Sequence, residues 1–203
     1  MINRKLPGVT LAALLALAML VGTAPLQLNA APKVSFPLNP PTWYHGDTWA
    51  WATPSGGAVA MTVESAATDG SYTISGMGAG VRANMEWGTV FKREQVGNFL
   101  FIAWPLTFNK RWQDKGSSYT YVWRVGPVRS VTVPAGSFSA VQLLCSILTL
   151  PKGNPPVSQQ VGTGFAWYAP AAKTIVKIQF GPEAAWPDNA RNKAITLQKY
   201  QLH

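Results

Sequence analysis

The chain of 203 residues contains one cysteine, Cys145, and two histidines, His45 and His203. A lone cysteine excludes an intrachain disulfide, and it stands too far along the chain to carry a lipid beside the N-terminal apolar run. A Ser-His-Asp triad would have to use His45, in the turn Trp43-Tyr44-His45-Gly46-Asp47, and no Gly-x-Ser-x-Gly elbow occurs. Carboxylates are scarce too, with 8 Asp plus Glu against 17 Lys plus Arg and a formal net charge of +9. Glu64, Glu86 and Glu94 could be paired across a sheet, but the sequence gives no positive sign of it. A metal bound by His45 and Asp47 would need two more ligands from distant strands, so the turn around them reads as solvated. Catalysis needs titratable groups gathered in one place, and the expectation is a non-enzymatic protein without metal or cofactor.

Long amphipathic helices are missing as well. After the N-terminal segment, nothing shows three turns of 3.6-residue periodicity, and the pattern is short runs alternating at period two between Gly, Pro and Asn-rich turns. Arg4 and Lys5 precede an apolar run from about Val9 to Val21, then Pro25 and the small residues Ala30 and Ala31. This reads as a signal peptide over residues 1–30, with a retained anchor as the alternative, because the run is short for a membrane span. The protein is then expected to be periplasmic or secreted, and not membrane-spanning after cleavage. Residues 31–203 fit a single β-rich domain, long enough to bury roughly 70% of its unfolded surface without disulfides.

The expected fold is all-β, an antiparallel meander of about nine to eleven strands forming a strongly curved sheet or half-open barrel. Its centre is Ser130 to Leu150, two strands about the Pro134-Ala135-Gly136 turn, with Gly136 expected at positive φ. Leu143, Cys145 and Ile147 alternate with Leu144 and Leu148, so this strand is expected to lie in the middle of a sheet covered on both sides. Further strands are expected around Trp49 and Trp51, Val59 to Val63, Ser71 to Ile74, Met85 to Phe91, Asn98 to Trp104, Tyr119 to Trp123, Phe165 to Trp167, Thr174 to Phe180 and Ala194 to Leu202. Gly76, Gly78 and Gly80 invite a phosphate-loop reading, but a strand rather than a helix follows them. Trp104-Pro105-Leu106 echoes Phe36-Pro37-Leu38, and each triplet leads through a turn to a Trp, Trp112 and Trp49. That echo is either a weak internal duplication or chance.

The segments VTVPAGSF and GFAWYAPAAKTIVK resemble a set of exported bacterial β-rich proteins of uncharacterised function. Their pattern is matched by Pro37, Leu38, Gly46, Trp49, Val133 to Gly136, Phe138, Trp167, Tyr168, Pro170, Val176, Lys177, Leu197 and Tyr200. Ser137 stands where the pattern usually has Thr, and Ala172-Lys173 where a Gly is usual. The resemblance implies an exported β-rich domain without an assigned activity. Its architecture is also similar to the half-barrel lipoprotein carriers of the Gram-negative periplasm, a likeness that carries no function by itself.

Nine Trp are the remaining feature. If the sheet wraps a groove, Trp49, Trp51, Trp87, Trp123 and Trp167 would line it, and Arg124 and Lys177 would meet an anionic headgroup at its mouth. Core packing alone would use the same residues. The leading expectation is an exported binding domain for an apolar or amphiphilic ligand such as a lipid. The alternatives are a structural or protein-interaction module of the cell envelope, and a glycan-binding module. The basic charge suits an anionic envelope surface, and an exported chain has little occasion to meet nucleic acid.

Overall fold

Strand pairing follows the period-two pattern almost throughout. The computed structural model describes residues 33–54, 56–68, 72–76, 81–83, 102–115, 119–150, 157–183 and 192–203. Among these described residues are ten strands: β1 (Thr48–Ala52), β2 (Ala58–Ala66), β3 (Tyr72–Ser75), β4 (Val81–Ala83), β5 (Arg111–Lys115), β6 (Tyr119–Val133), β7 (Gly136–Thr149), β8 (Gln160–Ala169), β9 (Thr174–Phe180) and β10 (Ala194–Gln201). They form one antiparallel sheet in the order β4-β3-β2-β1-β10-β9-β8-β7-β6-β5. The fold is therefore an all-β meander whose first and last strands meet in its middle. Among the described residues β4 and β5 are its two ends, and the sheet is not closed into a barrel. The strands expected at Met85 to Phe91 and Asn98 to Phe101 lie outside the described residues. Ile102 to Trp104, expected as strand, is irregular.

The longest ladder joins β6 to β7 through the expected hairpin. Val133 pairs with Gly136, so Pro134 and Ala135 form a two-residue turn, and Gly136 takes φ +134°. Only a residue without Cβ enters that region easily. An extra residue in β6 between Val125 and Val128 shifts the register, and burial on β7 changes parity between Ala140 and Val141. Beyond the bulge the hairpin buries its other side. Phe138 packs on Tyr200 with ring centroids 5.8 Å apart, and the Ala135 N–H donates to the Leu197 carbonyl at 3.1 Å. Since β8 and β9 separate β7 from β10 in the sheet, this contact requires the sheet to curl.

One face carries the core, with its margins at Trp112 and Phe180 partly exposed. Trp112, Trp123, Cys145, Gly164 and Phe180 stand directly opposite one another on β5 to β9, and Trp51 opposes Leu197 on β1 and β10. Directly opposed residues share a face. This inner face is covered by the protein's own chain: Trp43, Ile102 and Leu106 are buried, Trp43 packs 5.4 Å from Trp49, and Trp104 meets Tyr168 edge-on at 5.1 Å. On the opposite side Leu144 is only half-buried. The central strand is thus covered on one side, and the expectation of two covered sides fails because no element crosses its outer face among the described residues.

The echoed triplets pair with each other. Leu38 and Leu106 form an antiparallel bridge with reciprocal bonds of 2.9 and 2.8 Å, and both aromatic-Pro bonds are cis. The turns that follow are alike bond for bond. Asp47 N–H donates to Tyr44 O, Gly46 N–H to Val63 O, and Val63 N–H to Asp47 O; Lys110 N–H donates to Thr107 O, Asn109 N–H to Val125 O, and Val125 N–H to Lys110 O. Gly46 at φ +88° and Asn109 at φ +64° hold the same left-handed place, which Asn tolerates better than other side chains. Trp49 then opposes Met61 as Trp112 opposes Trp123. The repeat is structural, and at Asp47 and Lys110 it carries opposite charges.

Candidate functional site

The residues expected to line a groove divide between two faces. Trp49, Trp51 and Trp123 lie on the inner face at 1%, 6% and 4% exposure. Trp167, Arg124 and Lys177 lie half-buried on the outer face, and Trp87 is outside the described residues. The seven do not form one wall.

The inner tryptophans have a structural task. β9 pairs with β10 only from Lys177 to Gln179, so the carbonyls just before that stretch have no ladder partner on that side. Three indoles supply it: Trp43 Nε1 donates to Lys173 O at 3.1 Å, Trp49 Nε1 to Ala172 O at 2.7 Å, and Trp51 Nε1 to Ile175 O at 2.8 Å. Trp is the side chain that fills a large apolar volume and still ends in a donor. Part of the Trp surplus is explained by these carbonyls.

The turn expected to be solvated is so only in part: Tyr44 and His45 are exposed, but its carboxylate is not. Asp47 is fully buried and accepts the Tyr44 N–H at 3.0 Å, the His203 N–H at 2.7 Å and the Lys173 ammonium at 3.1 Å. Lys173 sits at φ +52° after the 3-10 turn Pro170–Ala172, in the left-handed conformation, and its ammonium also lies 4.6 Å from the Tyr44 ring centroid. The side chain thus offsets its backbone strain through charge. His45 Nδ1 bonds the Glu64 carbonyl at 2.6 Å. Among the described residues no three of His, Cys, Asp and Glu come together as a metal site, and no helix is long and apolar enough to cross a membrane.

Cys145 is buried between Trp123 and Gly164, and burial pushes its thiol up to about 12. Burial likewise raises the Tyr168 phenol. The folded thiol stays protonated where the unfolded one, with an ordinary value of 9.0, ionises. Folding stability is therefore expected to be fully present below pH 9 and to fall as pH rises towards 12, as linkage requires. A thiol-reactive disulfide reagent at pH 8 should label Cys145 only after denaturation; rapid labelling of the folded protein would contradict its burial.

The outer face carries a mixed surface. Arg111, Arg124, Leu144 and Phe165 stand in register across β5 to β8, and Gln142, Trp167 and Lys177 form the neighbouring row. Leu144, Phe165 and Trp167 are half-buried, and the Phe165 and Trp167 ring centroids are 6.0 Å apart. The Lys177 ammonium lies 5.2 Å from the Trp167 centroid, a cation-π distance. At the other end a cleft of about 210 Å³ is lined by Arg111, Val122, Arg124, Leu144 and Ser146. Sequence reading had Arg124, Lys177 and Trp167 but missed Arg111, Leu144 and Ser146, because only strand register brings them together. The period-two aromatics Tyr119, Tyr121 and Trp123 did signal that Arg124 faces away from them.

No protein-family model and no curated protein matches the chain. Solved structures are similar in part. A candidate exported protein with a YmcC-like fold from Bacteroides fragilis aligns over 81% of this chain and 99% of its own, with 12% identity and a TM-score of 0.42. A candidate lipoprotein from Parabacteroides distasonis aligns over 82% of this chain and 100% of its own, with 14% identity and a TM-score of 0.39.

Proposed function

We propose that this protein is a non-enzymatic binding domain of the cell envelope whose ligand, an anionic amphiphile, lies on the outer face of the sheet. The observation that carries this reading is the division of the faces. The inner face is filled by Trp43, Trp49, Trp51, Ile102 and Leu106, so a lipid held inside the curve would have to displace the core. The outer face instead presents the half-buried strip Leu144, Phe165 and Trp167, with Arg111 and Arg124 at one end and Lys177 at the other. Strands are about 4.8 Å apart, so the strip from β6 to β9 runs roughly 14 Å, the length of a medium acyl chain. Covering it would gain about 0.8 kcal/mol per buried methylene. The N-terminal signal-peptide pattern supplies the envelope setting.

The test is to titrate residues 31–203 with dodecyl-chain amphiphiles and follow Trp fluorescence and native mass. Anionic chains are expected to bind one to one, and Trp167→Ala should weaken them about tenfold, the loss of a hot-spot aromatic. Absence of any stoichiometric amphiphile complex would remove this reading in favour of a protein-interaction module.

A further inference from the structure

The cleft at the end of the apolar strip is built from two cations that repel one another. Arg111 and Arg124 are directly opposed in the antiparallel ladder of β5 and β6, where like charges destabilise the pair. Among the described residues the one ion pair is Lys173 with Asp47, so neither guanidinium has a carboxylate partner there. Arg124 is half-buried between Val122 and Leu144, while Arg111 is exposed, so solvent screens part of the repulsion and leaves Arg111 open to a ligand. Ser146, on the next strand, adds a hydroxyl donor to the same lining. The paired arginines, the hydroxyl and the apolar walls make a concave, donor-rich site. Its space of about 210 Å³ equals about seven waters at 30 Å³ each, enough for a small oxyanion and the first carbons of a chain.

We propose that this cleft, resting on the amphiphile reading above, binds the phosphate monoester headgroup of a single-chain amphiphile. Charge complementarity selects that class. A phosphate monoester carries about two negative charges near neutral pH and three acceptor oxygens, which match two guanidinium forks and one hydroxyl. A carboxylate brings one charge and occupies one fork, leaving the second arginine uncompensated. Leu144 passes the chain from the cleft to Phe165 on the adjacent strand.

The experiment compares dodecyl phosphate, dodecanoate, a neutral dodecyl maltoside and inorganic phosphate on the mature protein by calorimetry. Dodecyl phosphate is expected to bind at least about tenfold more tightly than dodecanoate, with affinity falling steeply with salt. Arg111→Gln and Arg124→Gln should each lower its affinity about tenfold or more, and Arg124→Lys should recover only part, because the fork is lost. Without ligand, both glutamine variants are expected to melt no lower than the parent, since the like-charge pair is relieved; a purely structural role would lower the melting point. Equal binding of the phosphate and carboxylate amphiphiles would overturn the phosphate assignment. Binding of the neutral amphiphile at the same strength, unchanged by the arginine substitutions, would overturn the cleft and the anionic preference while leaving the outer face as the place where an apolar chain binds. Inorganic phosphate binding as tightly as dodecyl phosphate would retain an oxyanion cleft but overturn the amphiphile as its occupant.

Discussion

Replacing Asp47 with alanine is expected to cost about 2 to 4 kcal/mol, one of the largest effects of any single polar substitution among the described residues. Its carboxylate, fully buried, is the meeting point of three donors: the Tyr44 N–H, the His203 N–H and the Lys173 ammonium. Removing it strands two backbone donors and leaves a cation without its counter-charge. The Lys173 side chain is 19% exposed, so water relieves part of that last penalty, which places the estimate below the full cost of breaking a buried pair. For a domain of this size about 3 kcal/mol corresponds to a drop in melting temperature of roughly 6 to 12 °C. Thermal unfolding followed by near-ultraviolet circular dichroism measures it. Asp47→Ala combined with Lys173→Gly should be milder than Asp47→Ala alone, because glycine removes both the stranded cation and the left-handed strain at φ +52°. An Asp47→Ala variant with an unchanged melting temperature would show that the three donors find water instead.

Trp49→Ala is expected to cost about 3 to 5 kcal/mol, the range for emptying a large buried aromatic site. The indole is 1% exposed, packs 5.4 Å from Trp43, and gives its N–H to the Ala172 carbonyl at 2.7 Å. Truncation would leave both a cavity and a carbonyl without its donor. Trp167→Ala should cost less than Trp49→Ala, about 1 to 2 kcal/mol, since that side chain is only partly buried and, among the described residues, gives no hydrogen bond to a core carbonyl. The two tryptophans thus separate stability from binding. Trp49→Ala should lower the melting temperature sharply, while Trp167→Ala should weaken amphiphile binding in a protein that remains folded. The reverse ranking in denaturant titrations would mean that the sheet's wet and dry faces have been exchanged.

The residues through which the chain resembles exported proteins fall on both faces of the sheet. Gly46 holds a positive φ, Trp49 and Tyr168 are core, Phe138 packs on Tyr200, and the Leu197 carbonyl receives the hairpin tip at Ala135. These positions specify turns, strand faces and the curl of the sheet. Trp167 and Lys177 of the outer surface are also among them, whereas Arg111, Leu144, Phe165 and Ser146 are not.

The sequence by itself determined whatever depends on neighbours along the chain. Period-two alternation set the strands and the shared face of Trp49 and Trp51, and Pro134-Ala135-Gly136 set the central turn, because both are local consequences of backbone geometry. Burial of Cys145 was legible for the same reason. The curvature, the pairing of β1 with β10 and the bridge between Leu38 and Leu106 were decided by tertiary structure, since they join residues far apart in sequence. The side of the sheet that stays dry was decided there too. Alternation says that Trp123 and Arg124 point opposite ways, but only the chain folding back over Trp49 and Tyr168 makes one of those directions the core. Strand register likewise placed Arg111 against Arg124, and Lys173 came to Asp47 across most of the chain's length. No local periodicity encodes either meeting, because each is fixed by how many residues the intervening turns and bulges add to the ladder.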